Sequence, residues 1–167
     1  WQAIDGPERY GVAQRAPAVR VALAESETSG SNGGSVSTGQ MVAALERLGF
    51  DQVYDTSFTA DLTGLEEATE FIGRELKGEK LPLFTSCCPS WVKFAEQYYP
   101  ELLNNLSTCK SPQQMFGSIA REILPEMLNI KPEQLVIVSV MPCTAKKFEA
   151  KRSEFYHDGV PEVDHVL

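Results

Sequence analysis

The chain has 167 residues, 43% hydrophobic and 23% charged, with a formal net charge of -8. That size and apolar share suit one domain with a real core. Fifteen basic residues against 23 acidic ones make a poor surface for a phosphate backbone, so no nucleic-acid partner is expected. No apolar run approaches the roughly 18–20 residues of a membrane helix, so no membrane span is expected. The first residues, Trp1-Gln2-Ala3-Ile4-Asp5, lack an initiator Met and the charged-then-apolar pattern of a secretory leader. The expectation is a stretch of a longer, cytoplasmic polypeptide.

In chain order, Ala18–Ala24 is a short apolar run that predicts a buried strand. Ser26 to Ser35, rich in Gly, Ser, Thr and Asn, predicts a loop. A helix is expected from Ser37 or Thr38, through Met41, Val42, Leu45 and Leu48, stopping at Gly49. Gln52–Asp55 reads as a second strand and Thr63 to Leu76 as a second helix. Leu81–Thr85 reads as a third strand, with Pro82 near its start. Ser90–Tyr99 is a third helix, and Ser111-Pro112 opens a fourth. Leu135–Met141, with β-branched Val136, Ile137, Val138 and Val140, predicts a strand buried on both faces. Alternating strands and helices give an α/β fold class with a mainly parallel sheet and flanking helices. In such sheets ligands bind beyond the carboxyl ends of the strands.

Four cysteines stand at positions 87, 88, 109 and 143. Cys87-Cys88-Pro89 and Pro142-Cys143 each follow a predicted strand and begin a predicted helix. Unpaired amides at a helix start favour negative charge, and the thiolate is the form that binds metal. A lone cysteine after a strand is more often a packed thiol, and Lys146-Lys147 by default a solvated pair. Two such turns together point to a site. Spacing alone leaves zinc, an iron–sulfur cluster and a redox thiol pair open.

Thr85-Ser86-Cys87-Cys88-Pro89-Ser90-Trp91 resembles the first signature of the FeFe-hydrogenases, TSCCPxW. Met141-Pro142-Cys143-Thr144-Ala145-Lys146-Lys147-Phe148-Glu149 resembles the second, MPCxxKxxE. Ser107–Gln114, Arg15–Arg20 and Ser37–Gln40 look familial too, so the resemblance covers nearly the whole chain. It implies one lobe of the H-cluster domain across residues 1–167. The cofactor is a 4Fe-4S cubane linked to a two-iron unit with CO, cyanide and azadithiolate. The reaction is reversible reduction of protons to dihydrogen, linked to ferredoxin or NAD. By resemblance Cys88 and Cys143 are cubane ligands, and Cys87 is the thiol that hands protons to the cofactor amine. Lys146 pairs with one cyanide, Pro17 and Ala18 surround the other, Met141 packs on the two-iron unit, and Gln113 is a polar wall residue. Glu70 and Ser107 match the outer members of the proton route, whose inner Glu is expected in a later segment. Cys109 is expected to pack, as are Trp1 and Trp91; His157 and His165 are expected to be structural or exposed.

The third signature, which resembles ExMACxxGCxxGGGQP, is missing. Two cubane ligands are therefore present where four are needed. The expected partners are a complementary C-terminal half and an electron carrier such as ferredoxin or another iron–sulfur subunit. The alternatives are a non-catalytic iron–sulfur assembly relative and a hydrogen-sensing member. The doubled Cys87-Cys88 argues against the first, and Cys87 with Ser107 against the second.

Overall fold

The computed structural model describes residues 3–26 and 36–167. The predicted Gly/Ser loop falls almost wholly outside them, as does Trp1. Six strands and six helices follow in the order β1 (Tyr10–Arg15), α1 (Pro17–Ser26), α2 (Thr38–Arg47), β2 (Gln52–Asp55), α3 (Thr56–Lys77), α4 (Pro89–Tyr98), α5 (Pro112–Leu128), β3 (Leu135–Val140), α6 (Ala145–Glu149), β4 (Tyr156–His157), β5 (Val160–Pro161) and β6 (His165–Val166) among the described residues. The main sheet has the order β2-β1-β3-β6 and every pairing in it is parallel. The α/β class with a mainly parallel sheet is as expected.

Strand β3 alternates at the period of two that a pleated strand imposes. Leu135 and Ile137 join one buried cluster with Val12 of β1 and Phe116, Ala120 and Leu124 of α5. Val136 and Val138 join the other with Ala13, Met41, Leu45 and Phe50. A strand covered on both faces needs a near-continuous apolar run, and here only Ser139, which accepts from Gln14, interrupts it.

Two expected strands are corrected. Ala18–Ala24 lies in helix α1, and the first strand is Tyr10–Arg15. Pro17 sits at the first helical turn, where its missing N–H costs nothing, and the Ala and Leu residues that follow are strong helix formers. Strand β1 escapes a hydrophobicity reading because Gln14 and Arg15 are buried in it. Leu81–Thr85 lies outside the main sheet: Phe84 makes one isolated parallel bridge, to Leu106. The second predicted helix starts earlier than Thr63, because Asp55 caps α3 by accepting from the Ser57 N–H at 2.9 Å.

The other caps follow the sequence. Ser37 Oγ accepts from the Gln40 N–H at 3.2 Å, and Gln40 Oε1 accepts from the Ser37 N–H at 2.8 Å, forming a capping box. Ser111 caps α5 ahead of Pro112.

Two glycines give opposite predictions. A Cβ built on Gly117 of α5 would lie 2.7 Å from the Glu162 carbonyl oxygen, whereas one on Gly64 of α3 meets nothing within 4 Å. Urea unfolding should show Gly117→Ala destabilised by about 1–3 kcal/mol through overpacking. Gly64→Ala should be stabilised by roughly 0.5–1 kcal/mol through helix propensity. A shift of the same sign in both variants would contradict this packing.

Candidate functional site

The sheet order puts β1 between β2 and β3, so the chain leaves the carboxyl ends of β1 and β3 in different directions. That is the switch point of the sheet, the usual ligand position in open parallel sheets. Arg15 is in register with Val140, and the Ala16 N–H donates to the Val140 carbonyl at 3.0 Å. Pro17 and Ala18 therefore begin α1 beside the Met141-Pro142-Cys143 turn. Pro17, Ala18 and Cys143 are exposed; Met141 is half-buried, its N–H donating to the Leu167 carbonyl at 3.2 Å. Buried Gln14 ties this end of β1 to its neighbours. Its amide donates to Ser139 Oγ at 2.7 Å and to the Gln113 carbonyl at 3.1 Å.

Cys88 is the N-cap residue of α4, exposed and making no side-chain capping bond, with Pro89 in the first turn. The Cys87-Cys88 pair does not follow a strand of the main sheet, contrary to expectation. The bridge between Phe84 and Leu106 positions it instead, with N–H to carbonyl bonds of 2.7 Å on both sides of Phe84.

Lys146 joins the two signature segments. Its Nζ donates to the Cys87 carbonyl at 2.8 Å and to the two Glu149 oxygens at 3.2 and 3.0 Å. Glu149 Oε2 also accepts from Ser111 Oγ at 2.9 Å and Gln113 Nε2 at 3.1 Å. Burial pushes the Glu149 carboxyl above the ordinary glutamate value, against the lowering pull of Lys146 and Ser111. Gln113 is 1% exposed and its Oε1 is a buried atom without a hydrogen-bond partner.

A second cluster lies around Glu70 on α3. Ser107 Oγ donates to Glu70 Oε2 at 2.7 Å. Arg74 donates to Glu70 Oε1 at 2.6 and 3.1 Å, and the Thr108 N–H lies 3.1 Å from Oε2. Burial alone would raise the Glu70 carboxyl, but the bonds from Ser107, Arg74 and Thr108 outweigh it and hold the carboxyl below its ordinary value. Glu70 and Ser107 thus meet, whereas composition alone would make Glu70 part of a solvated face. The Cys109 N–H donates to Ser107 Oγ at 3.0 Å, and Ser86 Oγ donates to the Cys109 carbonyl at 2.8 Å. These two bonds connect the Glu70 cluster to the segment that carries Cys87.

Glu67, beside Glu66 in the same acidic stretch of α3, is a partly buried acid that the sequence pattern does not single out. Glu66 is exposed, but Glu67 is half-buried and its Oε1 is buried without a hydrogen-bond partner. Its spacing three residues before Glu70 puts both on one helix face, which is the signal the sequence carries for it. Burial raises the Cys109 thiol, and the charges of Glu67, Glu66 and Glu70 raise it further. Cys109 is thereby kept as a neutral, half-buried thiol. His165 is exposed, and His157 is largely exposed with its Nε2 2.8 Å from Glu162 Oε1. Trp91 packs edge-on against Phe84, with ring centroids 5.8 Å apart.

Because the folded Glu70 carboxyl titrates below its unfolded value, its stabilisation is complete above the ordinary glutamate pKa of about 4.3 and is lost as pH falls through the folded value. Glu70→Gln should lower the urea midpoint at neutral pH, and the gap from wild type should close on acidification. A gap that is constant with pH would contradict the assignment.

Residues 9–167 match the family model described as iron only hydrogenase large subunit, C-terminal domain. The NADP-reducing hydrogenase subunit HndD of Solidesulfovibrio fructosivorans is 52% identical over 99% of this chain and 29% of its own length. Iron hydrogenase 1 of Clostridium pasteurianum is 46% identical over 99% of this chain and 28% of its own. A solved structure of a Chlamydomonas reinhardtii FeFe-hydrogenase HydA1 variant superposes with a TM-score of 0.90 at 41% identity, covering 99% of this chain and 44% of that one. More distantly, the cytosolic Fe-S cluster assembly factor NAR1 of Mycosarcoma maydis is 37% identical over 84% of this chain and 22% of its own length. The chain spans less than a third of the length of these curated relatives. With the family model running from residue 9 to residue 167, this chain belongs to the iron-only hydrogenase family, in the C-terminal domain of its large subunit.

Proposed function

We propose that this chain is the N-terminal lobe of an FeFe-hydrogenase H-cluster domain and serves the reversible reduction of protons to dihydrogen. The observation that carries the reading is the Lys146 bridge, which holds the two signature turns together at 2.8 Å from the Cys87 carbonyl. Helices α4 and α6 pack against each other, so the turns bearing Cys88 and Cys143 lie at neighbouring helix starts.

The donor set fits half of a cubane site. Cys88 and Cys143 are exposed free thiols, and among the described residues no three Cys, His, Asp or Glu side chains gather to hold a metal. A cubane takes four thiolates, so the other two come from a complementary half of the domain. The unpartnered Gln113 Oε1 and the ammonium of Lys146 are the polar groups this lobe offers to the two-iron part of the cofactor. When bound, the cofactor supplies the redox chemistry of dihydrogen, and the protein supplies ligands, orientation and a proton route.

The proton route we assign runs Glu70, Ser107, Glu67, Cys87. The Ser107 hydroxyl donates to Glu70 and accepts from the Cys109 N–H. One lone pair is left free to accept from an inner acid. Glu67, with its unpartnered buried oxygen, is the inner acid this reading chooses over one from a later segment. Each transfer requires hydrogen-bond reach, directly or through one water. The electron partner is ferredoxin or another iron–sulfur subunit, and a reducing cytoplasmic setting suits four free thiols. Among the described residues no helix is long and apolar enough to cross a membrane.

The assembly reading keeps a cubane without hydrogen chemistry. The doubled Cys87-Cys88, with Cys87 beside Lys146, favours the hydrogenase. In the cofactor-loaded enzyme, Cys88→Ala should prevent stable cubane binding, read as lost iron and sulfide. Cys87→Ala and Glu67→Gln should keep the iron and lower hydrogen evolution by about a hundredfold or more, the usual scale for a lost proton-transfer group. Undiminished hydrogen production by Cys87→Ala would defeat the relay.

A further inference from the structure

We infer that Glu149 is a positioning residue for the cofactor pocket: its buried carboxylate fixes Lys146 and Gln113 in the places from which they face the two-iron unit. The inference rests on the hydrogenase reading for what those two residues face, and on geometry alone for the link between them.

A lysine side chain is long and flexible, and its ammonium carries three donors that other partners can satisfy. Lys146 is held in one place because its Nζ meets both oxygens of Glu149, three residues on along α6, as well as the Cys87 carbonyl. The pair is well inside the protein, with side-chain exposures of 13% for Lys146 and 5% for Glu149. Glu149 is itself fixed from a different helix. Ser111 Oγ and Gln113 Nε2, at the start of α5, both donate to its Oε2. One carboxylate therefore locks three segments: the start of α5, helix α6 and the turn carrying Cys87. It also takes up the amide end of Gln113, which leaves Gln113 Oε1 as the free polar atom.

Removing one member of a buried ion pair leaves the other charge uncompensated, which is costly and drives it toward new partners. Glu149→Gln keeps the size of the side chain but removes the charge that holds Lys146. Glu149→Asp keeps the charge on a shorter stem.

Two measurements test this. On the iron-free enzyme that contains this chain, reductive methylation with limiting reagent and mass spectrometry reads the accessibility of Lys146, with exposed Lys147 as the internal standard. Lys146 should label much more slowly than Lys147 in wild type and at a similar rate in Glu149→Gln, with Glu149→Asp closer to wild type. On the loaded enzyme, infrared spectra should show a displaced cyanide band in Glu149→Gln at unchanged iron content, with hydrogen evolution lowered by about tenfold or more. Unchanged Lys146 labelling and an unmoved cyanide band in Glu149→Gln would overturn the proposal. Unchanged labelling in a folded Glu149→Gln chain that cannot hold iron would overturn it too, because the residue would then be merely structural. If wild-type enzyme shows no cyanide band, the hydrogenase reading fails, and the labelling still decides the Lys146–Glu149 link.

Discussion

The parallel pairing of β1 with β3 is the constraint on which the rest of this molecule depends. It runs in register from Tyr10 opposite Leu135 to Arg15 opposite Val140. A slip of one residue would exchange Leu135 and Ile137 with Val136 and Val138 between the two buried clusters and part Gln14 from Ser139. That fixed register brings the Pro17 turn and the Cys143 turn out side by side at the switch point of the sheet. Gln14 extends the constraint, binding Ser139 on β3 and the Gln113 carbonyl at the start of α5. The site is thus held by the rigid part of the fold, as a pre-organised cofactor pocket requires.

Two buried carboxylates show how environment assigns roles. Glu70 receives bonds from a guanidinium, a hydroxyl and a backbone amide, which hold its carboxyl below the ordinary value. Those donors favour its charged form. Glu149 is more deeply buried, and its carboxyl is raised despite Lys146. It serves as a fixed anchor between helices. The residue type is the same, and the number and kind of donors around each decides the use.

Much of the fold could be read from the sequence where local chemistry was unambiguous. The strand from Leu135 and the helix starts at Ser37 and Ser111-Pro112 all formed where expected. The failures share a cause. Strand β1 hides because Gln14 and Arg15 are buried by long-range partners that no local window shows. Helix α1 looks like a strand because Val19 and Val21 are β-branched, while Pro17 and the alanines set the outcome. Phe84 is held by Asn105 and Ser107, far along the chain, so its single bridge resembled a full strand. For the site, the signature cysteines and Lys146 were legible as motifs. Glu149 closes the second signature without a role of its own there, and Glu67 passes as one more solvated carboxylate, because the burial that sets both apart depends on how α3, α5 and α6 come together.

On the proposed reading this lobe helps to hold an H-cluster, with Cys88 and Cys143 supplying half the thiolates of its cubane. Infrared spectroscopy of the purified, active-form enzyme containing this chain, with intact mass and iron and sulfide content on the same sample, tests it most directly. Metal-bound CO and cyanide bands are expected in a sample that also contains the complementary part of the domain. Iron and sulfide without those bands, in material that has passed through cofactor maturation, would contradict it and leave a cubane-bearing relative of the assembly type.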